Sequence, residues 1–422
     1  MEEFRSDISG FYKLSFKERQ QTISKLVNLT QDEINILQNL GYFTPSQITN
    51  FIENVVGSYQ LPFGLAFNFQ INNKDYIIPM VIEEPSVVAA ASNAAKFTRK
   101  HGGFKSKEVK SIMISQIQIT NLHEINIAKK KIIDNKEQIL KIANEQDPFL
   151  NELGGGAIDL EIRELDTRKG KMLILHLLVD VLDAMGANVV NTMAEAITPF
   201  IEELTNGKIY LRIVSNLASH RIAKSKATFD RDLLGGEEVV EGIMNAYEFA
   251  VADPFRATTH NKGIMNGVIA LTLATGNDTR AIEAGAHAYA SLKGKYSPLT
   301  TFEVDSEGNL VGEIEIPLAL GIIGGMTKIH PMAQLALKIL NVRSANELSQ
   351  VAAALGLAQN VAALRALASE GIQEGHMKLH AYNIAKAAGA PDELIEDVAK
   401  KMIKNKKIRI DYAKEILKNK RR

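Results

Sequence analysis

Four places in this chain hold polar side chains where packing alone would not put them. The first is Glu83-Glu84-Pro85-Ser86, after an apolar run that ends at Ile82. Two carboxylates at a strand end, directly before a helix, suit the positive end of the helix dipole. They read equally as a helix cap and as proton-transfer groups. The second is residues 253–263, where Arg256, His260, Asn261 and Lys262 crowd what reads as a short polar loop before an apolar helix. A lysine held near a carboxylate can polarise a carbonyl and stabilise the oxyanion formed when hydride arrives. The bland alternative is a solvated loop. The third is Gly276-Asn277-Asp278, a break between two helical stretches. Asp278 there is a natural N-cap, or a charge partner for Lys262. The fourth is Glu374-Gly375-His376-Met377-Lys378-Leu379-His380. Its two histidines could share a helical face as metal ligands, but Met377 and Lys378 follow the first histidine, where HExxH would require Glu. His376 reads better as a mobile general acid, since imidazole titrates near neutrality.

A nucleotide site is suggested where an apolar strand ends at Asp183 and Ala184-Met185-Gly186-Ala187-Asn188 opens a helix. Backbone N–H groups at such a start suit a pyrophosphate. A tight strand-to-helix turn explains the same residues. No GxGxxG and no GxxxxGK[ST] occurs in the chain, so neither a Rossmann nor a P-loop reading applies.

These residues need a scaffold, and hydrophobic periodicity outlines one. Residues 16–27 and 30–40 have helical spacing. Residues 67–71 and 76–82 alternate as strands about an Asn72-Asn73-Lys74 turn. Pro85 is expected to open a helix over 86–100, because its missing N–H is tolerated in a first turn. Gly102-Gly103 ends it. Between 110 and 216 the pattern is strand (111–119), charged helix (124–144), strands (157–165 and 172–181), helix (187–204) and strand (209–214). That βαββαβ order predicts a ferredoxin-like unit, an antiparallel sheet with two helices on one face, inserted into a larger domain. Residues 242–292 read as helices rich in small residues. A hairpin is expected over 300–317, close-packing Ala/Leu helices over 332–367, and a lysine-rich amphipathic tail from 391.

Composition removes several function classes. The 422 residues carry 49 basic and 49 acidic side chains, so no bulk charge attracts nucleic acid or an anionic membrane. An anionic substrate must be captured by local groups. With no cysteine, disulfides, thiolate metal sites, iron–sulfur clusters and a catalytic thiol are excluded. Hydrophobic residues, at 45%, allow a large core, and the length suggests two or three domains. Residues 1–13 are charged, without an apolar stretch of signal-peptide length. Apolar runs such as 316–326 fall short of a bilayer span. A cytoplasmic protein without a membrane anchor is expected.

Taken together, the chain resembles the soluble, class II (bacterial and archaeal) 3-hydroxy-3-methylglutaryl-CoA reductases. The matching text is Glu53-Asn54-Val55-Val56-Gly57, Leu61-Pro62-Phe63, residues 83–92, residues 183–188, residues 253–267, Gly276-Asn277-Asp278 and residues 370–377, in the family's order and over nearly the whole chain. Any one segment would be weak; the ordered set is specific.

The resemblance implies an α+β fold. A large helix-rich substrate domain (1–109 and 217–372) would carry an inserted ferredoxin-like dinucleotide domain (110–216) and a C-terminal helical flap (373–422). It implies two hydride transfers interconverting hydroxymethylglutaryl-CoA and mevalonate plus CoA, with NAD(H) or NADP(H) as cofactor and no metal. Glu84 would pass protons to the substrate oxygen, and Lys262 would polarise the carbonyl. Asp278 would hydrogen-bond Lys262, and His376 would protonate the CoA thiolate. Ser86 and Arg256 would hold the hydroxymethylglutaryl group, with Asn266 near the glutamate. Asp183, Met185, Gly186, Ala187 and Asn188 would lie along the dinucleotide, and Asn216 close to the reacting centre. A homodimer with shared sites, or a higher assembly of dimers, is implied, with no nucleic-acid or membrane partner. Asp147 occupies a place where an acid could bind a ribose hydroxyl and repel a 2′-phosphate, which tilts the choice toward NAD(H). One departure touches CoA: Tyr12 stands where some relatives carry an arginine for its phosphates, and Lys13 could substitute. Two rival readings are a Schiff-base lyase using Lys262 and a nucleotide-binding scaffold without turnover.

Overall fold

The structure is a computed structural model describing residues 10–369, 372–405 and 407–420, with the backbone alone for 372–379 and 420. The chain divides into two compact units, Met1–Pro62 and Phe63–Arg422. In the first, helices Phe16–Leu26, Gln31–Gln38 and Pro45–Thr49 each begin with a capping box: Ser15 with Glu18, Thr30 with Glu33, Thr44 with Gln47. Each box satisfies two otherwise orphaned N–H groups, so these short helices are fixed largely by local sequence. A small core of Leu40, Ile48 and Val55 joins them.

Among the described residues, the second unit holds three sheets. β1 (Phe63–Ile71) and β2 (Lys74–Val81) form a hairpin. Its turn residues Asn72 and Asn73 both have positive φ, which asparagine tolerates better than most residues. Two sheets of four strands follow. One has the order β3-β8-β10-β9, from Lys105–Ser106, Ile222–Phe229, Leu310–Pro317 and Thr300–Val304. The other has the order β5-β6-β4-β7, from Gly156–Thr167, Gly170–Asp180, Ile112–Thr120 and Lys208–Val214. All its pairs are antiparallel.

That second order is the ferredoxin-like one. Alternation decides which face is covered. Met113, Ile117 and Ile119 of β4 and Leu173, Leu175, Leu177 and Val179 of β6 point to one side and are fully buried. They meet Ile132, Ile139, Val190, Met193, Ile197 and Ile201 from helices Ile125–Asp134, Lys136–Asn144 and Ala187–Thr205. The single helix expected over 124–144 is therefore two. Asn135 turns its amide back onto the Lys131 carbonyl at 2.8 Å, ending the first helix with the kind of local bond that makes asparagine a helix breaker.

Two further expectations are corrected. Helix Val87–Thr98 begins after Ser86, whose φ of 73° is left-handed, so Pro85 lies outside the helix. Residues 253–263 are not a loop. Asp253 is the N-cap and Pro254 the first residue of helix Pro254–Ala274. The crowded polar side chains are thus fixed on a rigid element.

Helix Ala345–Ala368 is, by its 24 residues and mean hydropathy of 1.5, long and apolar enough to cross a membrane, which the sequence was not expected to contain. In the fold it is a core helix, buried on all sides from Val351 to Val361. Helices Ile372–Ala387, Asp392–Lys404 and Ile410–Lys420 close on a separate small core around Ala385, Val398, Met402 and Leu417.

Candidate active site

Glu84 and Lys262 come from distant parts of the chain and meet in a cleft of about 390 Å³. Glu84 follows β2, in the link to helix Val87–Thr98. Lys262 stands in the third turn of helix Pro254–Ala274, and its Nζ donates to Glu84 Oε2 at 2.7 Å. The two side chains are 59% and 33% exposed, so water screens the pair and it adds little to stability. A solvent-reachable lysine against a carboxylate can exchange a proton with a group bound beside it.

Helical periodicity supplies the rest of that wall. Arg256, Thr259, Gly263 and Asn266, three, four or seven residues apart, line the same cleft as Lys262. Ser86, Pro85 and Val87 form the facing edge. Arg256 has no carboxylate partner among the described residues, and burial pulls its pKa down. An anionic ligand group would relieve that cost. Glycines let the back wall approach: a Cβ on Gly267 would stand 3.1 Å from Gln359 Cβ, and one on Gly263 3.6 Å from Ala363. Gln359 and Asn360 of helix Ala345–Ala368 thereby join the cleft.

Sequence reasoning singled out five of these residues: Glu84, Ser86, Arg256, Lys262 and Asn266. It did not single out Gln359 or Asn360. Adjacent amides in an otherwise Ala/Leu helix were the signal available. It noted His260 only as one donor in a supposed loop. His260 is 1% exposed, and its Nε2 lies 2.6 Å from Thr300 Oγ1. Burial, with the nearby Arg256 charge, lowers its pKa to about 3, so the ring is neutral.

The remaining assigned residues form a second cluster. Gly186, at φ 96°, is the N-cap of helix Ala187–Thr205 and offers no side chain to the first-turn N–H groups. A Cβ there would strike Val181 at 2.5 Å, so the turn requires glycine. Asp183 accepts from the Ala345 N–H at 2.7 Å. Arg221, fully buried and absent from the sequence-based candidates, ties the turn down: its guanidinium donates to the carbonyls of Ala184 (3.1 Å), Met185 (3.4 Å) and Leu320. Burial lowers its pKa to about 10, leaving it charged at neutral pH. Asn277 clamps Gly321 with two bonds, of 3.0 and 2.8 Å. Met185 and Ala187 are half-buried and Asn188 is exposed. Asp147 caps Leu150 N at 2.9 Å. Its short helix lies beside this cluster, since a Cβ on Gly155 would touch both Leu150 and Leu182. The Asn216 carbonyl packs where Gly285 of helix Thr279–Ala290 leaves room.

Asp278 belongs to this second cluster and not to Lys262. It caps helix Thr279–Ala290 through Arg280 N and Ala281 N, and pairs with the Arg280 guanidinium at 3.0 Å. The reason is length: twelve residues of continuous helix separate Lys262 from Ala274, which at 1.5 Å each is about 18 Å. Within one chain the expected Asp278–Lys262 hydrogen bond does not form. His376 is carried on helix Ile372–Ala387, and its side chain lies outside the described residues.

The fold is thus an α+β architecture with a cation–carboxylate cleft and a tight glycine turn opening a long helix. Comparison with known proteins makes that specific. The hydroxymethylglutaryl-coenzyme A reductase family model matches residues 15–381. The chain is 59% identical to the 3-hydroxy-3-methylglutaryl-coenzyme A reductase of Archaeoglobus fulgidus over 413 residues, 98% of this chain and 94% of the other. It is 38% identical to a probable reductase of the same name from Borreliella burgdorferi, over 89% of this chain and 88% of that one. The solved 3-hydroxy-3-methylglutaryl-coenzyme A reductase of Streptococcus pneumoniae superposes with a TM-score of 0.77 at 38% identity, over 97% of this chain and 99% of that one. The class II enzyme of that organism, bound to NADPH in open conformations, matches with a TM-score of 0.76 at 38% identity, over 97% and 100%. The chain belongs to the hydroxymethylglutaryl-coenzyme A reductase family.

Proposed function

We propose that this protein reduces hydroxymethylglutaryl-CoA to mevalonate and free CoA with two equivalents of a nicotinamide dinucleotide. The observation that carries the reading is the 2.7 Å contact of Lys262 with Glu84 in a cleft that also holds Arg256. The bound nicotinamide supplies a hydride for each reductive step. Lys262 stabilises the oxyanion that develops on the thioester carbonyl and later on the aldehyde. Glu84, against the same ammonium, is the proton source for that oxygen. Arg256 takes the substrate carboxylate as an ion pair, with Ser86 and Asn266 completing the cradle. His376 protonates the departing CoA thiolate and prevents its return.

The second cluster suits the cofactor. Gly186 leaves the N-terminus of a 19-residue helix without a side-chain cap, the arrangement that favours a pyrophosphate. Asp183, Met185, Ala187 and Asn188 would line the dinucleotide. Asp147 would take a ribose hydroxyl and disfavour a 2′-phosphate, so faster oxidation of NADH than NADPH is expected. Residues 110–216 would act as the dinucleotide domain and 373–422 as the flap.

About 18 Å of helix lies between the lysine and the cofactor cluster's Asp278. We therefore assign the complete site to a homodimer, in which the cofactor cluster of one copy, with its Asp278 and Asn216, meets the Glu84–Lys262 cleft of the other.

The test is nicotinamide absorbance with hydroxymethylglutaryl-CoA and NADH or NADPH in separate assays. Oxidation of two cofactor molecules per CoA released supports the reading. Folded protein that oxidises neither would overturn it.

A further inference from the structure

Behind the cleft, Thr300 links the two lining residues His260 and Asn360 in a chain of hydrogen bonds. Asn360 Nδ2 donates to the His260 carbonyl at 3.3 Å, which fixes the amide orientation. Asn360 Oδ1 therefore faces Thr300 and accepts its hydroxyl proton at 2.9 Å. Having donated its single proton, Thr300 Oγ1 can only accept from His260 Nε2, 2.6 Å away. The ring is thus the Nε2–H tautomer, and Nδ1 carries a bare lone pair. That Nδ1 is buried and has no partner. Gln359 Oε1, on the same wall, is a second buried acceptor without one.

Leaving such acceptors dry costs about 1–3 kcal/mol each, a cost that a ligand donor reaching them through a small shift of the wall would relieve. Arg256 and Lys262 already supply the cleft with donors. What is left over is acceptor capacity. A hydroxymethylglutaryl thioester has no N–H or O–H in its ionised acyl group except the tertiary 3-hydroxyl.

We infer that His260 is a specificity-determining residue whose Nδ1, together with Gln359, accepts a hydrogen bond from the 3-hydroxyl of the acyl group. This rests on the substrate reading above. A site built around a hydroxyl discriminates strongly against the analogue that lacks it, because its own polar atoms are then left unpaired. The Thr300–Asn360 relay acts through His260 by holding the tautomer.

The test pairs two substrates with two variants. The substrates are hydroxymethylglutaryl-CoA and 3-methylglutaryl-CoA, which lacks the hydroxyl. His260→Gln places its amide near the Nε2 position, so it can still donate to Thr300 but offers no acceptor at Nδ1. His260→Asn does the reverse. Wild-type protein is expected to prefer the hydroxylated thioester by at least about 10²-fold in kcat/KM. His260→Gln should lose about 10-fold or more of that preference, while His260→Asn retains it. Thermal melts confirm that each variant is folded, and Thr300→Val, which frees the tautomer, should lose part of the preference if His260→Gln does not fold. Equal losses on both substrates would overturn the inference and leave His260 a packing residue. No turnover of hydroxymethylglutaryl-CoA by wild type would instead overturn the substrate reading, and this inference with it.

Discussion

Lys262 is held by Glu84, 178 positions away in the chain, and not by Asp278, 16 positions away. Proximity in sequence is misleading because a straight helix carries Asp278 out of reach. The lysine's reach toward β2 is set by the packing of helix Pro254–Ala274 across the hairpin, and the proposed oxyanion role rests on that placement.

Lys262→Ala should lower turnover of both hydroxymethylglutaryl-CoA and mevaldehyde by about 10²–10³-fold, the usual cost of removing one oxyanion partner. Because the ion pair is substantially exposed, the melting temperature should barely change. A large loss of stability with a small loss of rate would reverse the assignment.

His376→Gln separates the two half-reactions. Thioester reduction releases a thiolate and mevaldehyde reduction does not. The variant should lose about 10²-fold on the thioester and far less on the aldehyde. Equal losses would sink the thiolate-protonation role.

A mixed dimer tests the shared site. One chain carries Lys262→Ala and the other Asp278→Ala, and the heterodimer is purified through two different tags. If the two residues serve one site from different copies, one of the two sites is intact, and about half of the wild-type activity returns. If both come from the same chain, each site has lost one of them and no activity returns.

Arg221→Met strips the donor from the carbonyls of Ala184, Met185 and Leu320. Loss of these charge-assisted bonds should cost about 3 kcal/mol in urea denaturation. With the turn before Gly186 released, KM for the dinucleotide should rise, while binding of the substrate at Arg256 is unchanged. An unaltered cofactor KM would remove Arg221 from the positioning of that turn.

His260 also makes a pH prediction. Its folded pKa, about 3, lies below the 6.5 of a free imidazole. The folded state therefore disfavours the proton that the unfolded chain binds. Its stability contribution is complete above about pH 6.5 and is lost progressively as pH falls toward 3. His176 is shifted down by burial as well, so only a difference between variants isolates His260. Between pH 7.5 and 5.5, wild type should lose about 1 kcal/mol more than His260→Gln. Parallel pH profiles would show that the ring is not held neutral.

The sequence by itself determined the local elements and the chemical inventory. The helices over 16–27 and 30–40, the Asn72-Asn73 turn and period-two alternation in β4 and β6 act over a few residues, so they could be read directly. So could the ferredoxin-like order and the residue types at Glu84, Arg256 and Lys262. Boundaries failed where a single residue decided them, Ser86 by its left-handed φ and Asn135 by its side-chain amide. The polar run 253–263 was misread because polar side chains usually mark loops, whereas here they line a cleft from a helix. Tertiary structure alone decided which groups meet. The Glu84–Lys262 contact, the burial of Arg221 beneath the Gly186 turn and the His260–Thr300–Asn360 relay join segments 36 to 178 residues apart. Such contacts depend on how helices and sheets pack in space, and periodicity along a chain holds no record of which apolar faces close on one another.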